Sequence, residues 1–171
     1  RRRQRQMCIR DSYALAGEMK LRVTARCKDA AEGDLMVTPL LAEIKETLGS
    51  VVYSTNDQEL HEVCAALLRE HGMTLAAAES CTGGMIASKL ISVPGISEHF
   101  LEGAVTYSNE AKMRRLGVKR ETLEAHTAVS EAVAREMAEG VRATSGASLG
   151  LATTGIAGPD GGTAERPVGL V

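Results

Sequence analysis

Three short segments carry residue types able to do chemistry together: Glu79-Ser80-Cys81-Thr82-Gly83-Gly84, Thr106-Tyr107-Ser108-Asn109-Glu110-Ala111-Lys112, and the run Thr153 to Gly162. In the first, a hydroxyl lies between a small apolar stretch and a helical pattern. A strand-to-helix turn exposes such a group, and the free N–H groups of the helix start can hold an oxyanion or a phosphate. Ser80 or Thr82 could equally serve only as a helix cap. Cys81 is a rival nucleophile by position, although packing as a small apolar side chain is the commoner fate of a lone cysteine. In the second segment, Lys112 falls in the first turn of a helix that follows a strand. It can act as base for a serine only when neutral, which requires desolvation or a neighbouring positive charge to lower its pKa from about 10.4. Tyr107 could relay or orient the proton; the alternatives are a solvated surface lysine and a tyrosine with its hydroxyl outward. The third segment is a glycine-rich loop whose backbone N–H groups could approach an anion closely, with Gly155 and Gly158 giving the room, or it is simply a long turn. It has neither a G-K-[ST] ending nor a G-x-G core. His61, His71, His99 and His126 sit on helical or polar stretches and form no Ser-His-Asp trio.

The elements that must position these residues follow a strand-then-helix rhythm. Strands are predicted at Leu75 to Ala78, Gly103 to Tyr107 and Ser148 to Ala152, and a last one begins near Val168. Helices are predicted from about Gly83, over Asn109 to Leu116 and over Ser130 to Thr144. This is an α/β layer pattern, and parallel strands would bring Ser80 and Lys112 to one edge of the sheet. A helix after Asn56, with Glu59 three residues on and an apolar stripe of Leu60, Val63, Leu67 and Leu68, opens the domain. Before it, residues 17 to 56 read as a β-α-β module. Lys20 to Cys27 alternates as a half-buried strand, Thr38 and Pro39 start a helix that Gly49 stops, and Val51 to Ser54 forms a second strand. The module is too small for an extensive core of its own.

Composition narrows the function classes. One ordinary domain plus a small module fits 171 residues. Aromatics are 2% of the chain against 44% hydrophobic residues, so few stacking platforms exist for bases. Five of the 20 basic residues and one of the 22 acidic ones lie within residues 1 to 16; the remaining 15 and 21 leave a balance of −6. An acidic body argues against a general nucleic-acid or anionic-membrane binder. Cys8, Cys27, Cys64 and Cys81 have no C-x-x-C spacing and no histidine cluster beside them, so neither zinc nor a disulfide framework is indicated and a reducing cytoplasm fits best. No apolar run approaches membrane-spanning length and no signal-peptide pattern is present. Residues Met7 to Ser12 resemble the translated end of a sequencing-library adapter; residues 1 to 16 are therefore expected to be read-through, disordered and outside the fold. The chain stops on an apolar strand pattern, Val168 to Val171, and is expected to be a fragment at both ends.

AAAESCTGG, the run from VPGIS through GAVTYSNEAK, and TTGIAGPDGG followed by RPVGLV match the CinA C-terminal family in order and spacing over residues 57 to 171. Residues 17 to 56 resemble the small KH-like β-α-β linker that precedes this domain. The resemblance implies a layered α/β amidohydrolase domain of the CinA C-terminal type, C-terminally truncated. It implies hydrolysis of the carboxamide of nicotinamide mononucleotide to nicotinate mononucleotide and ammonia, with no metal or other cofactor. It makes Ser80 the nucleophile, Lys112 the base, Tyr107 a supporting hydroxyl, and Cys81, Thr82 and Gly83 the oxyanion side of the pocket. Thr154, with Gly155 and Gly158 of the loop, and Ser97 in the Pro94-Gly95-Ile96-Ser97 turn complete the substrate contacts. Family members often self-associate, so a homo-oligomer is expected; no nucleic-acid or membrane partner is. The family continues into a segment with a substrate-binding arginine that this chain does not reach, so the fragment is expected to be impaired. Two other readings stand beside this one: a nucleotide-binding or regulatory module without turnover, in which Lys112 stays charged, and a nucleic-acid binder suggested by the KH-like topology. The second lacks a G-x-x-G clamp.

Overall fold

In the computed structural model, residues 8–15 and 17–171 are described. The chain divides into an N-terminal unit, residues 1–55, and a C-terminal unit, residues 56–171. Among the described residues no helix is long and apolar enough to cross a membrane.

The N-terminal unit is an antiparallel hairpin of β1 (Cys8–Ala14) and β2 (Met19–Ala25) followed by α1 (Ala30–Leu48). Three sequence expectations are corrected here. Residues 8–14, expected to lie outside the fold, pair with β2 along its whole length, from Cys8 opposite Ala25 to Ala14 opposite Met19. A turn closes the hairpin, with Leu15 N donating to Glu18 O at 2.9 Å and Gly17 at a φ of 82°. Asp11 meets its cross-strand neighbour Arg22 at 3.2 Å, and that guanidinium lies 4.8 Å from the centre of the Tyr13 ring. Residues 1–7 and 16 of the same expectation lie outside the described residues. The helix begins nine residues before Pro39, because Asp29 accepts from Glu32 N and Glu32 Oε2 from Lys28 N, both at 2.9 Å, a reciprocal cap. Pro39 stands inside the helix. Finally, Val51 to Ser54 is no strand: a short 3₁₀ turn, Gly49–Val51, follows α1, among the described residues the sheet pairs β1 with β2, and Tyr53 Oη donates to Glu18 at 2.8 Å.

The C-terminal unit holds a parallel sheet in the order β4-β3-β5, formed by β3 (Leu75–Glu79), β4 (Phe100–Val105) and β5 (Leu149–Thr153). Around it run α2 (Leu60–Glu70), α3 (Met85–Ile91), α4 (Asn109–Leu116), α5 (Arg120–His126) and α6 (Glu131–Ser145). The first of these starts later than Asn56 suggests, its capping box being Glu59 with Glu62. Ala76, Ala77 and Ala78 of the central strand are fully buried, as a strand covered on both faces requires. One face packs on α6, where Ala76 and Ala78 join Leu116, Val118, Leu123, Val133, Met137 and Val141 in the main core. Each of the last three side chains is fully buried, a contribution of about 1.5–3 kcal/mol apiece. The approach of α6 is close enough that a Cβ at Gly140 would lie 2.0 Å from Leu116 O, and one at Gly150 2.1 Å from Ala138 O. Ala65, Leu68 and Ile96 form a smaller cluster with Met73, Val93 and Phe100.

Near the end of the chain the expected strand from Val168 is replaced by a turn, Leu170 N donating to Pro167 O at 3.1 Å with Gly169 at a φ of 91°. This turn is tied to the glycine-rich loop by two hydrogen bonds, Ile156 N to Leu170 O and Gly169 N to Ile156 O.

Candidate active site

Parallel strands end together, and here the shared C-terminal edge collects the polar residues that the apolar strands lead into. Glu79, Val105 and Thr153 occupy the last paired level of the three strands. One residue further on, Ser80 N donates to Thr153 O at 3.0 Å and Thr106 N to Glu79 O at 2.8 Å, so the ladder continues past the strand ends. Because side chains alternate along a strand, Thr106, Ser80 and Thr154 share one level and one face. All three are buried.

Lys112 is delivered to this level by α4. Ser108 caps that helix by accepting from Ala111 N at 3.1 Å, which places Lys112 in its first turn with only 1% of its surface exposed. Lys112 Nζ donates to Thr106 O at 2.8 Å and Tyr107 O at 3.1 Å, and stands in hydrogen-bond contact with Ser80 Oγ at 3.0 Å. Burial without a carboxylate partner pushes its pKa below the usual lysine value, against a smaller opposing influence from Cys81. A neutral lysine has two N–H groups and one lone pair. With both N–H groups on the two carbonyls, the lone pair faces Ser80.

Glu79, whose part in the motif was not explained by sequence, organises the turn between nucleophile and helix. Its carboxylate accepts from Gly84 N at 3.0 Å, Ile86 N at 3.1 Å and Ala87 N at 2.9 Å, and so occupies the start of α3. Burial works to raise its pKa, but the bonds from Ala87, Thr82, Ile86 and Gly84 outweigh it and hold the carboxyl below its ordinary value. Gly83 N donates to Ser80 O at 3.2 Å. The N–H groups of Cys81 and Thr82, the two residues that follow Ser80, have no acceptor among the described residues. Being unpaired, these two are the candidates for an oxyanion hole, and Gly83, whose N–H is already used, is not one of them.

Other expected site residues fall differently. Tyr107 contributes its carbonyl; its side chain is 78% exposed and its hydroxyl makes no hydrogen bond among the described residues, so it relays no proton to Lys112 here. Ser97 is not brought to the site: it lies on an exposed turn before β4, at the opposite edge of the sheet, about 20 Å away at the usual strand rise. Thr154 is at the site, but its hydroxyl donates to Ala128 O at 2.7 Å and holds the segment between α5 and α6. Thr82 shares a 2.7 Å hydroxyl contact with Thr153. Gly155 and Gly158 have an internal reason for being glycine, since a Cβ would lie 2.4 Å from Leu170 O at the first and 2.5 Å from Val168 Cγ1 at the second. The space each opens is filled by the chain's own terminal turn. Cys81 is a partly exposed free thiol. The histidines with side-chain partners bond away from Ser80, His61 near Ser92 and His99 to Met73 O. Among the described residues no group of three His, Cys, Asp or Glu side chains is placed to hold a metal ion. Thr106 heads the second sequence segment but was given no role there; the structure shows its carbonyl on Lys112 Nζ.

Comparison with known proteins gives the same boundaries from another direction. The CinA C-terminal domain profile matches residues 57–171, and that of the damage-inducible protein CinA KH domain matches residues 11–54. A protein of Clostridium perfringens strain 13 named as competence-damage inducible is 56% identical over 159 residues, covering 93% of this chain and 39% of that protein. A CinA-like protein of Kosmotoga olearia is 52% identical over 161 residues, with the same coverages. The chain thus spans 39% of the length of these relatives. Crystal structures of the competence/damage inducible protein CihA from Agrobacterium tumefaciens and of a competence damage-inducible protein from Klebsiella pneumoniae superpose with TM-scores of 0.63 and 0.62 at 44% and 42% identity. They cover 68% and 66% of this chain and 71% of each neighbour.

Proposed function

The chain belongs to the CinA family, residues 57–171 being its C-terminal domain, and from that premise we propose that it is a nicotinamide-nucleotide amidase. Ser80 and Lys112 hydrolyse the carboxamide of nicotinamide mononucleotide to nicotinate mononucleotide and ammonia without a metal. The observation that carries this reading is the buried 3.0 Å contact between Lys112 Nζ and Ser80 Oγ, in surroundings that favour the neutral amine.

The chemistry is acyl transfer. Neutral Lys112 takes the Ser80 proton while the carbonyls of Thr106 and Tyr107 keep its lone pair aligned. Oγ attacks the amide carbon, and the N–H groups of Cys81 and Thr82 receive the developing oxyanion. Lys112 returns the proton to the nitrogen, ammonia departs, and an ester of Ser80 remains. Water then attacks that ester by the same route. The reading carries with it a cytoplasmic role in NAD salvage and a homo-oligomeric state, with no nucleic-acid or membrane partner.

A second reading, a nucleotide-binding or regulatory module without turnover, is favoured by one observation: Nζ has three acceptors around it, the number that suits an ammonium group. The two readings part on a single assay. Natural-length protein incubated with nicotinamide mononucleotide in the presence of a chelator is expected to release one ammonia per nicotinate mononucleotide formed. Tight binding of the nucleotide with no ammonia released would establish the second reading instead.

A further inference from the structure

The proposed acylation step uses the carbonyl of Thr106 and leaves its side chain without a role. Thr106 is 2% exposed, its N–H is committed to Glu79 O at 2.8 Å, and its carbonyl takes an N–H of Lys112 at 2.8 Å. Its Oγ1 alone has no partner among the described residues. A buried hydroxyl without a partner is a standing cost that valine, of nearly the same shape, would remove. The other flanking hydroxyl behaves differently: Thr154 Oγ1 donates to Ala128 O and is satisfied inside the fold. Both threonines stand level with Ser80 on the same face, so the unpaired one is the one on the lysine side.

We propose that the Thr106 hydroxyl is a further catalytic residue, holding the water that hydrolyses the acyl-enzyme. The inference rests on the amidase reading and concerns its second half. Once ammonia has left, Ser80 Oγ is an ester oxygen and the lone pair of Lys112 is free to accept a new proton. An attacking water gives one hydrogen to Nζ and must place the other on an acceptor. Thr106 Oγ1, on the residue whose carbonyl already fixes Nζ, takes that second hydrogen bond and directs the water oxygen at the ester carbon. The new carbon–oxygen bond forms, the bond to Ser80 Oγ breaks, and Lys112 passes its proton to the departing serine oxygen. Water is the only co-reactant.

The test is rapid-quench ammonia release from nicotinamide mononucleotide by natural-length protein, with intact-mass detection of the acyl-enzyme. Wild type is expected to release ammonia linearly. Thr106→Val is expected to release about one equivalent in a burst, accumulate the ester on Ser80, and turn over about 10²-fold more slowly. Hydroxylamine, which needs no positioned water, would restore its turnover as the hydroxamate, and Thr106→Ser would behave as wild type. Thr106→Ala carries the same expectation should the valine variant not fold. Variants that slow without a burst or ester, or that keep wild-type rates, overturn the role of Thr106 while leaving the amidase intact. No ammonia from wild type overturns both.

Discussion

The two units of this chain use their residues in opposite ways. In residues 11–15 and 17–55 of the N-terminal unit no side chain is fully buried, and Leu35 and Val51 stand 79% and 72% exposed. Its order comes from the backbone pairing of a hairpin, a reciprocal helix cap and a few surface pairs. The C-terminal unit buries an apolar core and, against that core, Glu79, Ser80, Thr106, Lys112 and Thr154. Burying polar groups costs free energy unless each finds partners, and a unit without a core could not bear it. Chemistry that needs a neutral lysine therefore belongs where the core is large enough to desolvate one.

The largest effect that could break this comparison is on Lys112. Lys112→Met should lower ammonia release by about 10²–10⁴-fold. Its stability should stay within about 2 kcal/mol of wild type, because lost hydrogen bonds and the relieved burial of an amine oppose each other. Paired activity and urea-unfolding measurements check this; a collapse of both together would make the lysine a structural strut. In wild type the activity should rise with pH through the lowered pKa of Lys112 and then level, since only the deprotonated amine is a base. A profile still climbing through the ordinary lysine range would contradict the desolvation argument.

A glycine in each unit sharpens the contrast. Gly140→Ala forces a Cβ against the backbone at Leu116 and should cost about 1–3 kcal/mol or more. Gly33→Ala, in α1, meets only the Cys27 side chain at 3.0 Å and gains about 1 kcal/mol of helix propensity, so it should be nearly neutral. Equal shifts in the two denaturation curves would show that the units are alike in packing after all.

Glu79→Gln is expected to cost about 1.5–3 kcal/mol, through bonds to a charged acceptor. Because the folded-state pKa of Glu79 is depressed, its stabilisation is present above the ordinary carboxylate pKa and is lost as pH falls through the lower folded value. Unfolding free energies measured across the acid range should therefore converge for the two proteins at low pH. Parallel curves would mean that the charge of Glu79 contributes nothing.

What could be read from sequence follows the range over which each signal acts. The Asn109–Leu116 helix was legible to the residue because its signals are local, with Ser108 capping one end and Gly117 in the left-handed region at the other. The three parallel strands were legible within a few residues for the same reason. α5 was missed: its N-cap Lys119 offers no side-chain bond, and its attachment to α6 runs through Glu136, 14 residues from Thr122. α1 was started too late because Pro39 imitates a first helical position. In the site, the meeting of Ser80 and Lys112 depends on strand order: parallel strands would place both at one sheet edge and the resemblance assigned their roles, while residue types alone favoured a solvated surface lysine. The roles of Glu79 and Thr106 depend on which backbone groups remain unpaired after folding, which no local pattern states. Ser97 and Tyr107 were carried over by motif, and the geometry places one at the far edge and turns the other to solvent.

The most direct test of the account is the nucleophile itself. Ammonia release from nicotinamide mononucleotide should be abolished in Ser80→Ala and retained in Cys81→Ala. Loss in the cysteine variant with retention in the serine variant would contradict the Ser80–Lys112 assignment and move the chemistry to the neighbouring thiol.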